Sequence, residues 1–152
     1  MLASKDLFFT KSRTNSAAVY PTRSLRFRNS ASINCSRTFV APTNSTVFTF
    51  GIWFKRGTLG VVQNLWGAST TTSLGFNATD NIVLTVSGTA IITTTDFFRD
   101  PSSWYFLFYT QNGSAATLYI GGRTYTGTVA TPIFNSAVAH QIGSANSTGY
   151  FD

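Results

Sequence analysis

The strongest constraint in this sequence is an alternation of apolar and polar residues with a period of two, which begins near Ser24 and continues to Asp152. In the clearest segment, 46–56, the apolar residues of one parity are Phe48, Phe50, Ile52 and Phe54. Residues of one parity in a strand point to the same face of a sheet. The segment is therefore predicted to be a strand that buries this side in a core.

Shorter segments repeat the pattern and are separated by clusters of Gly, Asn, Asp and Ser, which favour turns. Ser87-Gly88 and Asn112-Gly113 are typical of tight hairpins. No stretch of about ten or more residues has a helical stripe. The further predicted strands are 24–28, 32–39, 59–66, 73–77, 82–87, 89–94, 103–110, 117–120, 123–127 and 138–142. This arrangement predicts an all-β antiparallel sandwich of the jelly-roll type.

Segment 103–110 is unusual because both of its faces are apolar. One parity contains Trp104, Phe106 and Phe108, and the other contains Tyr105, Leu107 and Tyr109. A strand of this kind is expected at the centre of a sheet, covered on each side. Trp104 is accordingly predicted to be buried.

The positive charge is concentrated at the N-terminus. The basic and acidic residues after Arg37 are equal in number, so the whole net charge of +6 comes from the first part of the chain. We predict an extended basic arm at 1–23 and a sandwich domain at 24–152. Docking of the arm on an acidic protein surface is preferred over a solvated tail, and nucleic acid is the least favoured partner. The predicted docking residues are Lys5, Lys11, Arg13, Arg23, Arg26 and Arg28.

The residue inventory disfavours catalysis. The chain has no glutamate, whereas glycosidases need two carboxyl groups roughly 5–9.5 Å apart. Asp96 and Asp100 are the nearest acidic neighbours, and Asp100 precedes Pro101, where an aspartate commonly organises a turn. His140 and Cys35 each occur once and alternate as strand residues. We therefore expect no enzymatic activity.

No cofactor is expected either. The single histidine and the single cysteine are too few for a transition-metal site. A structural calcium ion held by Asp80, Asp96 or Asp100 together with backbone carbonyls is the less favoured alternative.

Sugar binding would require exposed aromatic rings, on which sugars stack. Trp53 lies opposite the phenylalanine stripe of segment 46–56, and Trp66 precedes Gly67-Ala68-Ser69, so these two are the best candidates. For each of them, burial in the core or in a subunit interface is preferred over sugar stacking.

Export and membrane insertion are not expected. The first residues lack the apolar core of a secretory signal, although a body with only 11% charged residues is typical of an extracellular protein. A protein made in the cytoplasm and released on lysis, such as a virion component, satisfies both observations. No apolar run approaches the roughly 18 residues of a membrane helix, so no membrane partner is expected.

Five segments occur in a fixed order: 24–27 (SLRF), 49–57 (TFGIWFKRG), 98–105 (FRDPSSWY), 118–122 (LYIGG) and 140–143 (HQIG). Together they resemble the successive strands of a concanavalin A-like, laminin G-like domain. The variety that the chain most resembles occurs in structural proteins of tailed bacteriophages, and the similarity covers about residues 24–152. Such domains continue into a final strand after a segment like 149–152. A longer parent protein is the preferred explanation, ahead of a strand donated by another subunit.

The resemblance implies a non-enzymatic structural component of a phage virion, either a tail appendage or fibre or a capsid-surface protein. Its expected partners are other virion proteins and further copies of the same chain. The alternative is a glycan-binding module that recognises a host surface polysaccharide. A flat outer face with few aromatic residues would favour the structural role, whereas a concave sheet lined by exposed Trp and Tyr would favour glycan binding.

Overall fold

A computed structural model describes residues 25–130 and 134–152 of the chain. Over these residues the backbone forms ten strands and a 3-10 turn at Asn29–Ala31. The strands are β1 Cys35–Thr38, β2 Val47–Phe54, β3 Gln63–Ser69, β4 Thr72–Phe76, β5 Ile82–Val86, β6 Thr89–Thr93, β7 Tyr105–Asn112, β8 Ala115–Ile120, β9 Arg123–Thr128 and β10 Ala139–Ile142. The predicted all-β class is confirmed.

The strands form two antiparallel sheets that pack face to face. The six-stranded sheet has the order β1-β10-β3-β4-β5-β6, and the four-stranded sheet has the order β2-β7-β8-β9. Strands β6 and β9 contact each other, so the sheets meet along one side of the sandwich. The edge strands β1 and β2 lie at the opposite side.

The hydrophobic core lies between the sheets. The buried side chains from β4, β5, β7 and β8 include Leu74, Phe76, Ile82, Leu84, Leu107, Tyr109, Leu118 and Ile120. The predicted stripe on β2 is confirmed, since Phe54 is buried and Phe48, Phe50 and Ile52 pack against the core. These last three are only half-buried, because β2 is an edge strand.

Some predicted strands differ from the structure. Residues 25–28 do not form a strand, and Leu25 is 75% exposed. Phe27 instead packs against Gly143, where an added Cβ would lie 2.7 Å from the phenylalanine ring. The strand predicted at 59–66 begins only at Gln63. An alternating pattern forms a strand only where a neighbouring strand supplies hydrogen bonds, and no described strand pairs with residues 25–28.

The hairpins predicted at Ser87-Gly88 and Asn112-Gly113 are confirmed, although the second turn consists of Gly113 and Ser114, since Asn112 still pairs with Ala115. A third hairpin turn lies at Gly121-Gly122. Ser87 and Gly88 have φ values of 51° and 81°, and Gly121 and Gly122 have values of 59° and 75°. Positive φ at both central residues matches the twist of the flanking strands. These turns connect β5 to β6 and β8 to β9.

A buried ion pair, which the sequence pattern did not predict, closes one end of the core. Arg56 follows β2, and its Nη1 donates to Asp80 Oδ1 at 2.9 Å and to the Phe98 carbonyl at 2.8 Å. Asp80 also accepts hydrogen bonds from Gly60 N at 2.7 Å and Arg99 Nε at 3.0 Å. Desolvation raises the pKa of Asp80, but these hydrogen bonds outweigh it and hold the pKa below its ordinary value.

No helix within residues 25–130 and 134–152 has the length and apolar character needed to cross a membrane.

Candidate functional site

The outer face of the four-stranded sheet carries a row of aromatic side chains. Strand pairing places Trp53 opposite Phe106 and Phe108 opposite Tyr119. Ring centroids are 5.0 Å apart for Trp53–Phe106, 6.5 Å for Phe106–Phe108 and 6.0 Å for Phe108–Tyr119. Trp104 precedes β7 and has the same parity as Phe106. We call these five residues the aromatic face.

The two ends of the aromatic face are exposed to solvent, and its centre is half-buried. The exposed fractions are 50% for Trp53, 54% for Trp104 and 42% for Tyr119. Phe106 and Phe108 are half-buried between them. Large apolar side chains that cluster on one exposed surface mark an interaction site more often than isolated ones do.

The exposure of Trp104 corrects the expectation that it is buried. The parity that enters the core begins at Tyr105 and continues with Leu107 and Tyr109. Strand β7 does lie between β2 and β8, as predicted for a central strand. The side chains of the other parity face outward, and no second layer of the described residues covers Trp104. The prediction that the strand is covered on both faces is therefore wrong at Trp104.

A groove lies at the C-terminal end of the edge strand β2 and has a volume of about 1120 Å³. Trp53 and Trp104 lie on its wall, so the groove and the aromatic face are continuous. Its other apolar lining includes Phe27 and Ile52, and its charged lining residues are Arg26, Lys55, Arg56 and Asp152. We call this space the edge groove.

The two tryptophans proposed as sugar-stacking candidates have different environments. Trp53 is exposed on the aromatic face, whereas Trp66 is only 6% exposed. The ring of Trp66 stacks on Phe50 with a centroid distance of 4.3 Å, and Phe134 lies at 4.3 Å as well. Trp66 therefore belongs to the core, which was the preferred interpretation. Its alternative role as a glycan-binding residue is wrong, because its ring is not exposed to a ligand.

The predicted docking arm lies largely outside the described residues. Lys5, Lys11, Arg13 and Arg23 belong to 1–24, so their role and the domain boundary at residue 24 stay predictions. Arg26 and Arg28 are described and exposed. Only Arg26 of these two lines the edge groove.

Asp100 organises a turn, as predicted from the following proline. Its Oδ1 accepts hydrogen bonds from the Ser102 backbone at 2.8 Å and from the Ser102 hydroxyl at 2.5 Å, and the Ser103 hydroxyl donates to Oδ2. The hydrogen bonds from Ser102 and Ser103 lower the pKa of Asp100 to about 2. The carboxylate is thus ionised and committed to the turn.

The other two aspartates considered for calcium or catalysis also have partners. Asp96 Oδ2 accepts a hydrogen bond from the Tyr125 hydroxyl at 2.7 Å and lies 3.2 Å from Arg123 Nε. Asp80 is held in the buried ion pair. In the part of the chain that the structure describes, no three or more His, Cys, Asp or Glu side chains converge as a metal site.

His140 and Cys35 are strand residues, as predicted. His140 is buried on β10, where its Nδ1 lies 2.8 Å from the Val138 carbonyl and its Nε2 contacts the Phe134 carbonyl. Cys35 is an exposed free cysteine at the start of β1. Because both imidazole nitrogens contact backbone carbonyls, His140 has no free nitrogen to activate a nucleophile.

Sequence reasoning missed Tyr119 as a neighbour of Phe108. The signal was the register of the hairpin between β7 and β8. A two-residue turn after Asn112 pairs Asn112 with Ala115, and four residues further from the turn the same register pairs Phe108 with Tyr119. Counting back from this turn would have placed both aromatic rings on one face.

Comparisons with known proteins show the fold. No family model and no curated protein matches this chain. A similar solved structure is domain 4 of AbnA, a GH43 extracellular arabinanase from Geobacillus stearothermophilus, in complex with arabinotriose. The TM-score is 0.50 at 12% identity, and the match covers 70% of this chain and 56% of that chain. This chain thus spans little more than half of that structure, and the likeness confirms the β-sandwich. The tailed-phage resemblance, the virion location and the protein partners stay predictions.

Proposed function

We propose that this domain binds a polysaccharide on the aromatic face and in the adjoining edge groove. The observation that carries the proposal is the exposure of Trp53, Trp104 and Tyr119 on one side of one sheet. A sugar ring has an apolar face of C–H groups that packs against an aromatic ring, while its hydroxyls bond to polar groups. An outer face rich in exposed Trp and Tyr favours glycan binding over a purely structural role.

The same outer surface supplies hydroxyl groups beside the rings. Thr49 pairs with Thr110, Thr110 with Thr117, and Thr117 with Thr126, which gives a row of threonines across all four strands. A hydroxyl is both a donor and an acceptor, so it can bond a sugar hydroxyl in either direction. The surface therefore has an aromatic half and a hydroxyl half.

The similar solved structure adds support of a coarser kind. A sandwich of comparable fold was determined in complex with arabinotriose. An arabinan is accordingly a sensible first member of a polysaccharide panel. The proposal for this chain depends on its own exposed rings, since a likeness at 12% identity concerns the fold.

We propose further that binding occurs without cleavage. Glycoside hydrolysis needs two carboxyl groups that flank the scissile bond. Asp80, Asp96 and Asp100 each engage other protein groups. Asp152, on the wall of the edge groove, accepts a hydrogen bond from the Thr58 hydroxyl at 3.1 Å.

The proposal is tested by affinity electrophoresis and calorimetry of the full chain against neutral and acidic polysaccharides that include arabinan. Trp53→Ala and Trp104→Ala should each weaken binding about tenfold, because each removes a stacking surface. Phe97→Ala is the matched control, since Phe97 is an exposed aromatic residue outside the aromatic face. Absence of binding to the whole panel, or binding that neither tryptophan affects, would contradict the proposal.

A further inference from the structure

We infer that the polysaccharide bound in the edge groove is acidic, with carboxylate or sulfate groups on its repeating units. The inference rests on the proposed function, because it specifies the ligand of the same site. It depends on the charges around Trp53 and Trp104, which the stacking argument does not use.

Two cations line the edge groove beside the tryptophans. Lys55 follows Phe54 at the end of β2 and has the same parity as Trp53, and Arg26 lies on the part of the chain that precedes β1. Both side chains are exposed. Within residues 25–130 and 134–152, neither one has a carboxylate partner. Both are therefore available to an anionic ligand.

Three other cations of the described chain have carboxylate partners. Arg56 and Arg99 pair with Asp80, at 2.9 Å and 3.0 Å, and Arg123 pairs with Asp96 at 3.2 Å. Arg56 also lines the edge groove, but its side chain is fully buried and is paired with Asp80. The contrast identifies Lys55 and Arg26 as the cations that the groove leaves for a ligand.

The groove has little negative charge of its own. Asp152 is the acidic residue among its described lining residues, and its carboxylate accepts a hydrogen bond from Thr58. Arg26 and Lys55 therefore exceed the side-chain carboxylate of Asp152 by one charge. The net charge of +6 of the whole chain adds a longer-range attraction for a polyanion.

Aromatic rings beside cations also fit a single-stranded nucleic acid. Nucleic-acid binding, however, depends on the neutralisation of several backbone phosphates. The edge groove offers two unpaired cations, and the outer surface beyond the aromatic face carries a row of threonine hydroxyls. This combination suits an acidic polysaccharide, which has hydroxylated rings and widely spaced charges, better than it suits a nucleic acid with a charge on every phosphate. We therefore assign a polysaccharide.

The test compares polygalacturonate with the same polymer after reduction of its carboxyl groups, and dextran sulfate with dextran. The full chain, Lys55→Gln and Arg26→Gln are titrated at low and high salt. Arg28→Gln is the matched control, because it removes an exposed cation two residues from Arg26 that does not line the groove.

The acidic polymer should bind more tightly than its neutral counterpart, and salt should weaken the difference. Lys55→Gln and Arg26→Gln should each weaken binding of the acidic polymer about three- to fivefold, which is the upper part of the range for an exposed ion pair. Binding of the neutral polymer should not change, and Arg28→Gln should bind like the parent. Preference for polygalacturonate would assign carboxylates as the anion, and preference for dextran sulfate would assign sulfate esters.

The outcomes separate this inference from the proposed function. Equal binding of acidic and neutral polymers, unaffected by Lys55→Gln and Arg26→Gln, would overturn the acidic ligand and leave polysaccharide binding in place. Failure to bind any of the polymers would overturn both. Tighter binding of single-stranded RNA, with the same dependence on Trp53 and Lys55, would replace the polysaccharide with a nucleic acid.

Discussion

Strand β2 contributes to two aromatic regions that differ in almost every physical respect. On its inner side, Phe50 stacks on Trp66 of the opposite sheet with a centroid distance of 4.3 Å. On its outer side, Trp53 contacts Phe106 at 5.0 Å and keeps half of its surface exposed. The same residue types thus hold the sheets together on one side and are exposed to solvent on the other. Parity alone therefore separates the residues of β2 that stabilise the core from the residue that we propose contacts a ligand.

The adjacent residues Lys55 and Arg56 repeat this contrast with charge. Arg56 turns inward, where its guanidinium lies 3.9 Å above the Phe76 ring and pairs with Asp80. Burial lowers the pKa of Arg56, and the hydrogen bond to Asp80 opposes this effect. Lys55 turns outward to the edge groove without a carboxylate partner in the described chain. The inner charge is part of the buried ion pair, and the outer charge is the one that we infer contacts an anionic ligand.

The largest expected effect that tests the comparison is on stability. Trp66→Ala should lower the free energy of unfolding by about 3–5 kcal/mol, because it leaves a cavity beside Phe50 and Phe134. Trp53→Ala should cost less than about 1 kcal/mol, as exposed positions usually do. Urea denaturation of both variants measures the difference. Equal destabilisation by the two changes would show that the outer region is also part of the core.

A smaller effect on the free energy of unfolding is expected from changes at the adjacent cations Lys55 and Arg56. Arg56→Met should destabilise the domain by about 2–4 kcal/mol, because it leaves Asp80 with Arg99 as its remaining cation in a buried site. Lys55→Met, the matched change, should stay within about 0.5 kcal/mol of the parent. Thermal unfolding followed by circular dichroism provides the measurement. If Arg56→Met melted like the parent, the buried pair would not be a stabilising feature of this fold.

The smallest effect is expected in the dependence of stability on pH. The pKa of Asp80 is lower in the folded state than its ordinary value of 3.8, so the unfolded chain binds more protons in this range. The contribution of Asp80 should be complete above about pH 5 and decline as the pH falls below 3.8 toward the folded-state pKa. Asp100 behaves in the same direction, with a pKa of about 2, but its exposure weakens its contribution.

Urea midpoints of the parent, Asp80→Asn and Asp100→Asn at pH 3 and pH 7 would resolve these contributions. Asp80→Asn should be less stable than the parent at pH 7, and its further loss at pH 3 should be smaller than that of the parent. Asp100→Asn should follow the parent closely. An identical decline of all three proteins would assign the acid sensitivity to other groups.

The features that sequence alone determined are local ones. A period of two reports the alternation of side chains along a strand, so the inward stripe of β2 was predictable from Phe48 to Phe54. Turn residues report allowed backbone angles, so the hairpins at Ser87-Gly88 and Gly121-Gly122 were predictable as well. The turn role of Asp100 follows from the same local chemistry.

The remaining features needed the tertiary structure, because they depend on partners distant in sequence. Both parities of β7 are apolar, so only packing into the core between the sheets selects Tyr105 and Leu107 and leaves Trp104 exposed. The pairing of Arg56 with Asp80 joins residues 24 positions apart and shows no periodicity. The aromatic face itself exists only because strand register brings Trp53, Phe106, Phe108 and Tyr119 side by side on three neighbouring strands.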